Sequence, residues 1–231
     1  MKLTVILPTY NEERTVRAIL DAVLQVRLPD GVEKEVIVVD DASADRTAQI
    51  VAGEPRAILL RHAVNQGKGA AIHTALKRAT GDVILIQDAD MEYSVSDYPA
   101  LLKPFLEEGA QAVYGSRFLK RRRPTRMRWA NWAGNRVLTL AANVLYGAHI
   151  TDEGTCYKLF RADLLKSFPL RAEGFDFCPE VTAHTRKRGI PIREVPVEYV
   201  ARTHAEGKKV RWTDFLQAIQ VLISLRFRRE R

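Results

Sequence analysis

The sequence predicts an α/β fold in which a doubly wound, mostly parallel sheet carries helices on both faces. Two observations predict it. Short, uninterrupted apolar runs recur along the first half of the chain, as fully buried parallel strands do. Segments with helical periodicity separate these runs, and repeated β-α-β units imply right-handed crossovers. The predicted strands are residues 3–7, 35–39, 57–60, 82–86 and 112–114.

The helices between these strands are predicted from apolar spacing and from their ends. Segment 11–26 repeats apolar residues along one helical face. A second helix is predicted to begin at Ser43, because serine is a preferred N-cap residue. Two more are predicted to end at Gly81 and Gly109, since glycine commonly terminates helices.

The second half of the chain does not continue the regular alternation of short strands and helices. Its last segment, 210–229, carries apolar residues at helical spacing and predicts an amphipathic helix that docks on the core. Partial seating on a membrane surface is the alternative that its basic end favours. The other predicted elements are a helix over 129–147, a strand over 151–160, a short helix from Arg161, a helix over 177–189 and a strand over 192–200 that ends the sheet or a smaller edge sheet.

The 231-residue chain carries a net charge of +8 that is unevenly distributed. Residues 117–128 hold seven basic and no acidic residues, and the final RFRRER forms a second basic cluster. Such clusters indicate anionic partners, or else a solvated surface. A nucleic-acid-binding module would interleave aromatic side chains with the cations. Only Phe118 and Trp129 flank the first cluster, so we expect no nucleic-acid partner.

The sequence also bears on localisation. The opening MKLTVILPTYNEE reaches Pro8 and acidic residues too soon for a secretory signal. No segment approaches the roughly 18 consecutive apolar residues of a membrane-spanning helix. Cys156 and Cys178 match no disulfide or metal spacing, which is typical of a reducing compartment. We expect a cytoplasmic protein, with peripheral contact at the inner face of the membrane through its basic clusters and last helix.

Acidic residues follow the predicted strands at the points where ligands bind in doubly wound sheets. Asp88, Asp90 and Glu92 alternate directly after a buried strand, where like charges repel. Hard carboxylate oxygens suit Mg²⁺ or Mn²⁺, which would bridge them to a diphosphate. The alternative is a helix N-cap formed by one of the aspartates. The first strand is not followed by GxGxxG, and GxxxxGK[ST] is absent, which excludes the common dinucleotide and P-loop sites.

The motifs PTYNEE, VVDDAS, NQGKGAA, QDADMEY and YGSRF occur in this order. Together they resemble a family 2 glycosyltransferase with the GT-A fold, and within that family the dolichol-phosphate-mannose and polyprenol-phosphate-glucose synthases. The resemblance implies a nucleoside-diphosphate sugar donor (GDP-mannose or UDP-glucose), a divalent metal and inversion at the anomeric carbon. It implies a catalytic domain over 1–205, divided into a donor half (1–116) and an acceptor half (117–205), followed by a C-terminal loop and helix (206–231).

The resemblance also implies roles for individual residues. It implies that Asp90, Arg117 and Glu180 are catalytic. It also implies that Asp88, Asp90 and Glu92 bind the metal. The nucleotide sugar contacts Pro8, Tyr10, Glu12, Asp40 or its neighbour Asp41, Lys68, Asp88 and Asp90. The phosphates of the acceptor or donor contact Arg117, Lys158, Arg202 and Lys208.

The acceptor is predicted from the need for a general base. A phosphate monoester, with a second pKa near 6, is already ionised and needs none. The cations therefore favour transfer of mannose or glucose to a polyprenyl (dolichyl or undecaprenyl) phosphate. A hydroxyl acceptor does need a base, and Glu180 is the candidate for that alternative. Glu180 otherwise orients Arg117 or caps its helix.

Overall fold

The computed structural model describes residues 1–120, 123–124, 126–202 and 212–228. Its sheet has seven strands in the order β3-β2-β1-β4-β6-β5-β7. The strands are β1 (Lys2–Thr9), β2 (Glu33–Asp40), β3 (Ile58–Arg61), β4 (Val83–Ile86), β5 (Ala112–Ser116), β6 (Lys158–Arg161) and β7 (Ile192–Pro196). The helices are α1 (Val16–Gln25), α2 (Thr47–Ala52), α3 (Lys68–Arg78), α4 (Tyr98–Glu107), α5 (Trp129–Tyr146), α6 (Ala162–Lys166), α7 (Phe177–Lys187) and α8 (Trp212–Phe227).

The predicted doubly wound, mostly parallel architecture is confirmed. The first four strands pair in parallel, and β7 pairs in parallel with β5 at the edge. Alternate residues of the central strands enter separate hydrophobic clusters, because successive side chains of a strand point to opposite faces. Helices α1 and α4 cover one face, while α3, α5, α7 and α8 cover the other.

Several predicted boundaries were wrong, among them the end of the edge strand predicted over 192–200, since β7 ends at Pro196. The strand predicted over 151–160 begins only at Lys158 and ends at Arg161, as β6, which runs antiparallel between β4 and β5. The helix expected to begin at Ser43 begins at Thr47, because the Asp45 carboxylate accepts the Thr47 amide at 2.9 Å. Ser43 instead accepts the Asn11 amide at 2.9 Å and steadies the turn after β1.

The last helix docks on the core, as predicted. Ala218, Leu222 and Leu225 of α8 are buried, and the helix packs on α5 and α7. Within the described residues, none of the helices combines the length and apolar character that crossing a bilayer requires. The division of the chain at residue 116 stays a prediction, although β5 ends there.

Candidate active site

A cleft of about 1120 Å³ lies at the carboxyl ends of the parallel strands. One side is polar and the other is apolar. The polar side includes Pro8, Thr9, Tyr10, Glu12, Asp41, Lys68, Asp88, Asp90, Glu92, Arg117 and Arg202. The apolar side, formed mainly by α5 and α8, includes Met127, Ala130, Gly134, Leu138, Phe215 and Ala218. Most of the predicted site residues are therefore brought together.

The carboxylates after β4 crowd together at the floor of the cleft. Lys68, the first residue of α3, pairs with Asp88. Burial raises the pKa of Asp90 to about 7, and the neighbouring charges of Asp88 and Glu92 contribute to the shift. A carboxylate held among like charges is stabilised by a cation, so Asp88 and Asp90 suit a hard divalent ion.

The predicted three-carboxylate metal set is not formed. Both oxygens of Glu92 already accept hydrogen bonds, from the Tyr199 hydroxyl at 2.5 Å and the Arg202 amide at 2.6 Å. Among the described residues, no three acidic, histidine or cysteine side chains cluster to hold a metal by themselves. A Mg²⁺ or Mn²⁺ site made of two carboxylates and substrate phosphate oxygens remains consistent with this arrangement.

Arg202 closes the polar side of the cleft. Its Nη1 lies 3.2 Å from a Glu12 oxygen, which ties the segment after β7 to the turn after β1. Its Nη2 is buried, and no hydrogen-bond partner for it lies in the described part of the chain. A buried, unsatisfied guanidinium nitrogen is costly without a ligand, and a diphosphate oxygen is the acceptor that arginine suits. The other predicted cation of this loop, Lys208, lies outside the described residues.

The aspartate pair after β2 has divided roles. Asp41 lines the cleft, yet its carboxylate accepts the backbone amides of Gln66 and Gly67 at 2.9 and 2.8 Å and His62 Nδ1 at 2.7 Å. It therefore holds the loop that precedes α3. Asp40 is fully buried behind it, and within the described residues its Oδ1 has no hydrogen-bond partner. Asp40 does not line the cleft, so Asp41 is the aspartate of the pair that a nucleotide in the cleft can reach.

Two glycines allow a second segment to pack on the start of α3. Gly67 has φ of +97°, and a Cβ there would lie 2.4 Å from the Glu173 carbonyl oxygen. A Cβ on Gly69 would lie 2.1 Å from the Ala172 carbonyl oxygen. The Ala70 amide donates to the Glu173 carbonyl at 3.1 Å. Segment 171–174 thus fixes the helix turn that carries Lys68.

Glu180 holds that segment, which corrects its predicted catalytic role. Its carboxylate is buried, and it accepts the backbone amides of Arg171 and Ala172 at 2.8 and 2.9 Å. Burial raises the pKa of Glu180, and these two amides oppose the shift. The residue is not among those that line the cleft. The hydrogen bonds of its carboxylate go to these two amides, whereas Arg117 pairs with Asp152.

Arg117 lines the cleft in a fixed orientation. Its Nε and Nη2 each donate to Asp152 at 2.7 Å, a bidentate pair in which Asp152 is fully buried. The guanidinium carbon lies 5.0 Å from the centre of the Tyr199 ring. Asn135 of α5 donates to the same aspartate at 3.0 Å. Sequence reasoning missed Asp152, although it is the first acidic residue after Glu108.

Lys158 does not lie where a phosphate could reach it, so its predicted binding role was wrong. The side chain is buried below the cleft wall, where Nζ donates to the Glu153 carbonyl at 2.9 Å and lies 3.6 Å from a Glu153 carboxylate oxygen. Burial raises the pKa of Glu153 to about 7, although Lys158 opposes the shift. Neither residue lines the cleft, and the pair belongs to the core.

Comparison with known proteins agrees with this geometry. Residues 4–168 match the profile of glycosyl transferase family 2. The undecaprenyl-phosphate mannosyltransferase of Micrococcus luteus is 32% identical over 224 residues, which cover 90% of this chain and 87% of that protein. The UDP-N-acetylglucosamine–dolichyl-phosphate N-acetylglucosaminyltransferase of Methanococcus voltae is 27% identical, with 89% of each chain covered.

Among solved structures, glucosyl-3-phosphoglycerate synthase from Mycobacterium tuberculosis is similar in fold. Its complex with Mn²⁺, uridine diphosphate and glucosyl-3-phosphoglycerate superposes with a TM-score of 0.74 at 24% identity. The alignment covers 97% of this chain and 79% of that one. This likeness establishes the fold.

Proposed function

The chain belongs to glycosyltransferase family 2, and from that membership we propose that it transfers a hexose from a nucleoside-diphosphate sugar to a polyprenyl phosphate. An oxygen of the acceptor phosphate forms a bond to the anomeric carbon as the bond from that carbon to the diphosphate breaks. The nucleoside diphosphate leaves with the electron pair, and the configuration inverts. Mannose from GDP-mannose and glucose from UDP-glucose are the proposed transfers.

One observation carries the proposal: a single cleft joins a charged side to an apolar side, and Arg117 lies on it. The charged side offers acids and cations to a nucleotide diphosphate. The apolar side offers α5 and α8 to a hydrocarbon chain. A polyprenyl phosphate combines a charged head with an apolar tail and matches both. The names of the relatives, which refer to undecaprenyl and dolichyl phosphates, support the same acceptor class.

The residues of the charged side take the following roles. Pro8 and Tyr10 border the base and ribose, and Asp41, which lines the cleft, contacts the nucleotide. Asp88 and Asp90 would hold Mg²⁺ or Mn²⁺, which neutralises the charge that develops on the departing diphosphate. Crystals of the fold relative contain one or the other of these ions.

The cations divide between the two substrates. Lys68, paired with Asp88, and Arg202, whose Nη2 has no hydrogen-bond partner among the described residues, face the donor diphosphate. Arg117 orients the acceptor phosphate, since its pairing with Asp152 fixes the guanidinium. An ionised phosphate needs no base, and the placement of Glu180 outside the cleft favours this acceptor over a hydroxyl.

The test is a transfer assay with purified protein, radiolabelled GDP-mannose or UDP-glucose and undecaprenyl phosphate in detergent, with and without Mn²⁺. We expect lipid-linked sugar only when the metal is present. Asp90→Ala should abolish transfer, whereas Glu107→Ala, which removes an exposed acid of α4, should not change it. Full activity in Asp90→Ala would contradict the metal assignment. Transfer to 3-phosphoglycerate and not to the lipid would contradict the acceptor class.

A further inference from the structure

Helices α5 and α8 each expose an apolar stripe on the side that faces away from the core. Half of the exposed large apolar side chains of the described residues lie on these two helices. On α5, Val137, Leu140 and Val144 follow helical spacing and are 53, 61 and 74% exposed. The buried Leu138 and Ala142 occupy the opposite side of the same helix. A surface helix of a globular protein normally keeps that outer side polar.

Helix α8 repeats the pattern beside it. Leu216, Ile223 and Phe227 are 53, 47 and 79% exposed, while Ala218 and Leu222 face the core. The two helices pack on each other, and the Tyr146 hydroxyl of α5 donates to the Leu222 carbonyl of α8 at 2.7 Å. We call the exposed residues Val137, Leu140, Val144, Leu216, Ile223 and Phe227 the α5–α8 face. Exposed apolar side chains grouped on two neighbouring helices indicate a docking surface.

The charge around this face identifies its partner. No acidic residue occurs from Gly109 to Thr151, or from Phe215 to Arg229. Exposed arginines accompany both helices: Arg123, Arg126, Arg128 and Arg136 belong to or precede α5, and Arg226 and Arg228 are at the end of α8. Two copies of the chain would bring these cations together, which disfavours a dimer through this face. Anionic lipid headgroups complement both the charge and the apolar stripe.

An aromatic–cation pair lies at the start of α5. Trp129 is 65% exposed, and the Arg123 guanidinium carbon lies 4.4 Å from its ring centre. Tryptophan with a neighbouring cation is typical of the headgroup level, where the ring sits between apolar chains and water. The pair and the stripe on α5 therefore favour the same partner.

We propose that the α5–α8 face is a monotopic docking surface for an anionic lipid bilayer. This inference deepens the proposed function and rests on it for the acceptor. The inner sides of the same two helices line the apolar half of the cleft, through Gly134, Leu138, Phe215 and Ala218. Docking therefore places the apolar half of the cleft one helix away from the lipid in which a polyprenyl phosphate resides.

The test is vesicle flotation of the full chain with phosphatidylcholine vesicles that contain or lack phosphatidylglycerol. We expect binding that requires phosphatidylglycerol and weakens with salt. The double variant Leu140→Glu, Val144→Glu should lose roughly tenfold or more of that binding. The matched control is Leu106→Glu, since Leu106 is 45% exposed on α4, on the opposite face of the sheet, and should bind as the unmodified protein does.

The thermal shift caused by the nucleotide sugar shows that each variant is folded, because none of the three substituted positions lies in the cleft. Unchanged flotation of the double variant would overturn the proposal. So would a dimer in light scattering that the double variant dissociates. Docking without any lipid glycosylation would refute the proposed function and leave the docking surface standing. Transfer to a short, water-soluble prenyl phosphate without vesicle binding would refute the docking surface and leave the proposed function standing.

Discussion

Replacing Glu180 by glutamine distinguishes a role as general base from a structural role as hydrogen-bond acceptor. The carboxylate accepts two backbone amides, of Arg171 and Ala172, with one oxygen each. Glutamine keeps one oxygen and places an NH₂ group against the other amide. A buried donor left without its acceptor costs about 1–3 kcal/mol. For a domain of this size, the melting temperature should fall by about 2–4 °C for each kcal/mol, or by about 2–12 °C in total.

The effect on turnover should be small by comparison. Glu180 does not line the cleft, so the transfer rate should fall by less than about tenfold, whereas loss of a general base costs about 10²–10⁴. Differential scanning fluorimetry and the lipid-transfer assay measure the two quantities on the same preparation. Glu173→Gln is the matched control, since that side chain is exposed on the segment that Glu180 holds, and neither quantity should change. A hundredfold slower enzyme with an unchanged melting temperature would refute the structural role.

Two other substitutions test the role of Lys158 and the apolar half of the cleft. Lys158→Met should destabilise the protein by about 3–5 kcal/mol, because it leaves the Glu153 carboxylate buried without its cation. The KM for the acceptor should stay unchanged; a raised KM with normal stability would restore Lys158 as a phosphate ligand. Gly134→Leu should slow transfer to undecaprenyl phosphate by roughly tenfold or more and spare a short prenyl phosphate, since the new side chain fills the apolar half of the cleft. Ala133→Leu, on the exposed side of the same turn, should slow neither, and equal losses with both acceptors in Gly134→Leu would contradict the lipid path.

The sheet could be predicted because its parallel strands are buried on both faces and appear as continuous apolar runs. Strand β4 is an example, since all four of its residues are buried. The position of β6 could not be predicted in the same way. Its neighbours are β4 and β5, each separated from it by many residues, and only this long-range pairing makes it antiparallel. Local sequence carries no signal for that choice.

The residues of the polar side of the cleft could also be predicted from the sequence. Asp41, Lys68, Asp88 and Asp90 follow successive strands or loops at one sheet edge, and all four line the cleft. Which acid pairs with which cation could not be predicted from the sequence. Asp152 and Glu153 are adjacent, yet the first pairs with Arg117 at the cleft and the second with Lys158 in the core. Successive side chains point in different directions, and the fold of the loop decides which cation each one meets.

Tyr199 contacts both halves of the site. Its hydrogen bond to Glu92 gives that glutamate a linking role in place of the predicted role as a third metal ligand. The tyrosine hydroxyl donates to Glu92, which follows Asp90 by two residues. Its ring lies 5.0 Å from the Arg117 guanidinium carbon. The Arg202 amide donates to the same glutamate. A displacement of segment 199–202 would therefore move Arg202, the loop that carries Asp90 and Glu92, and the Tyr199 ring beside Arg117 together.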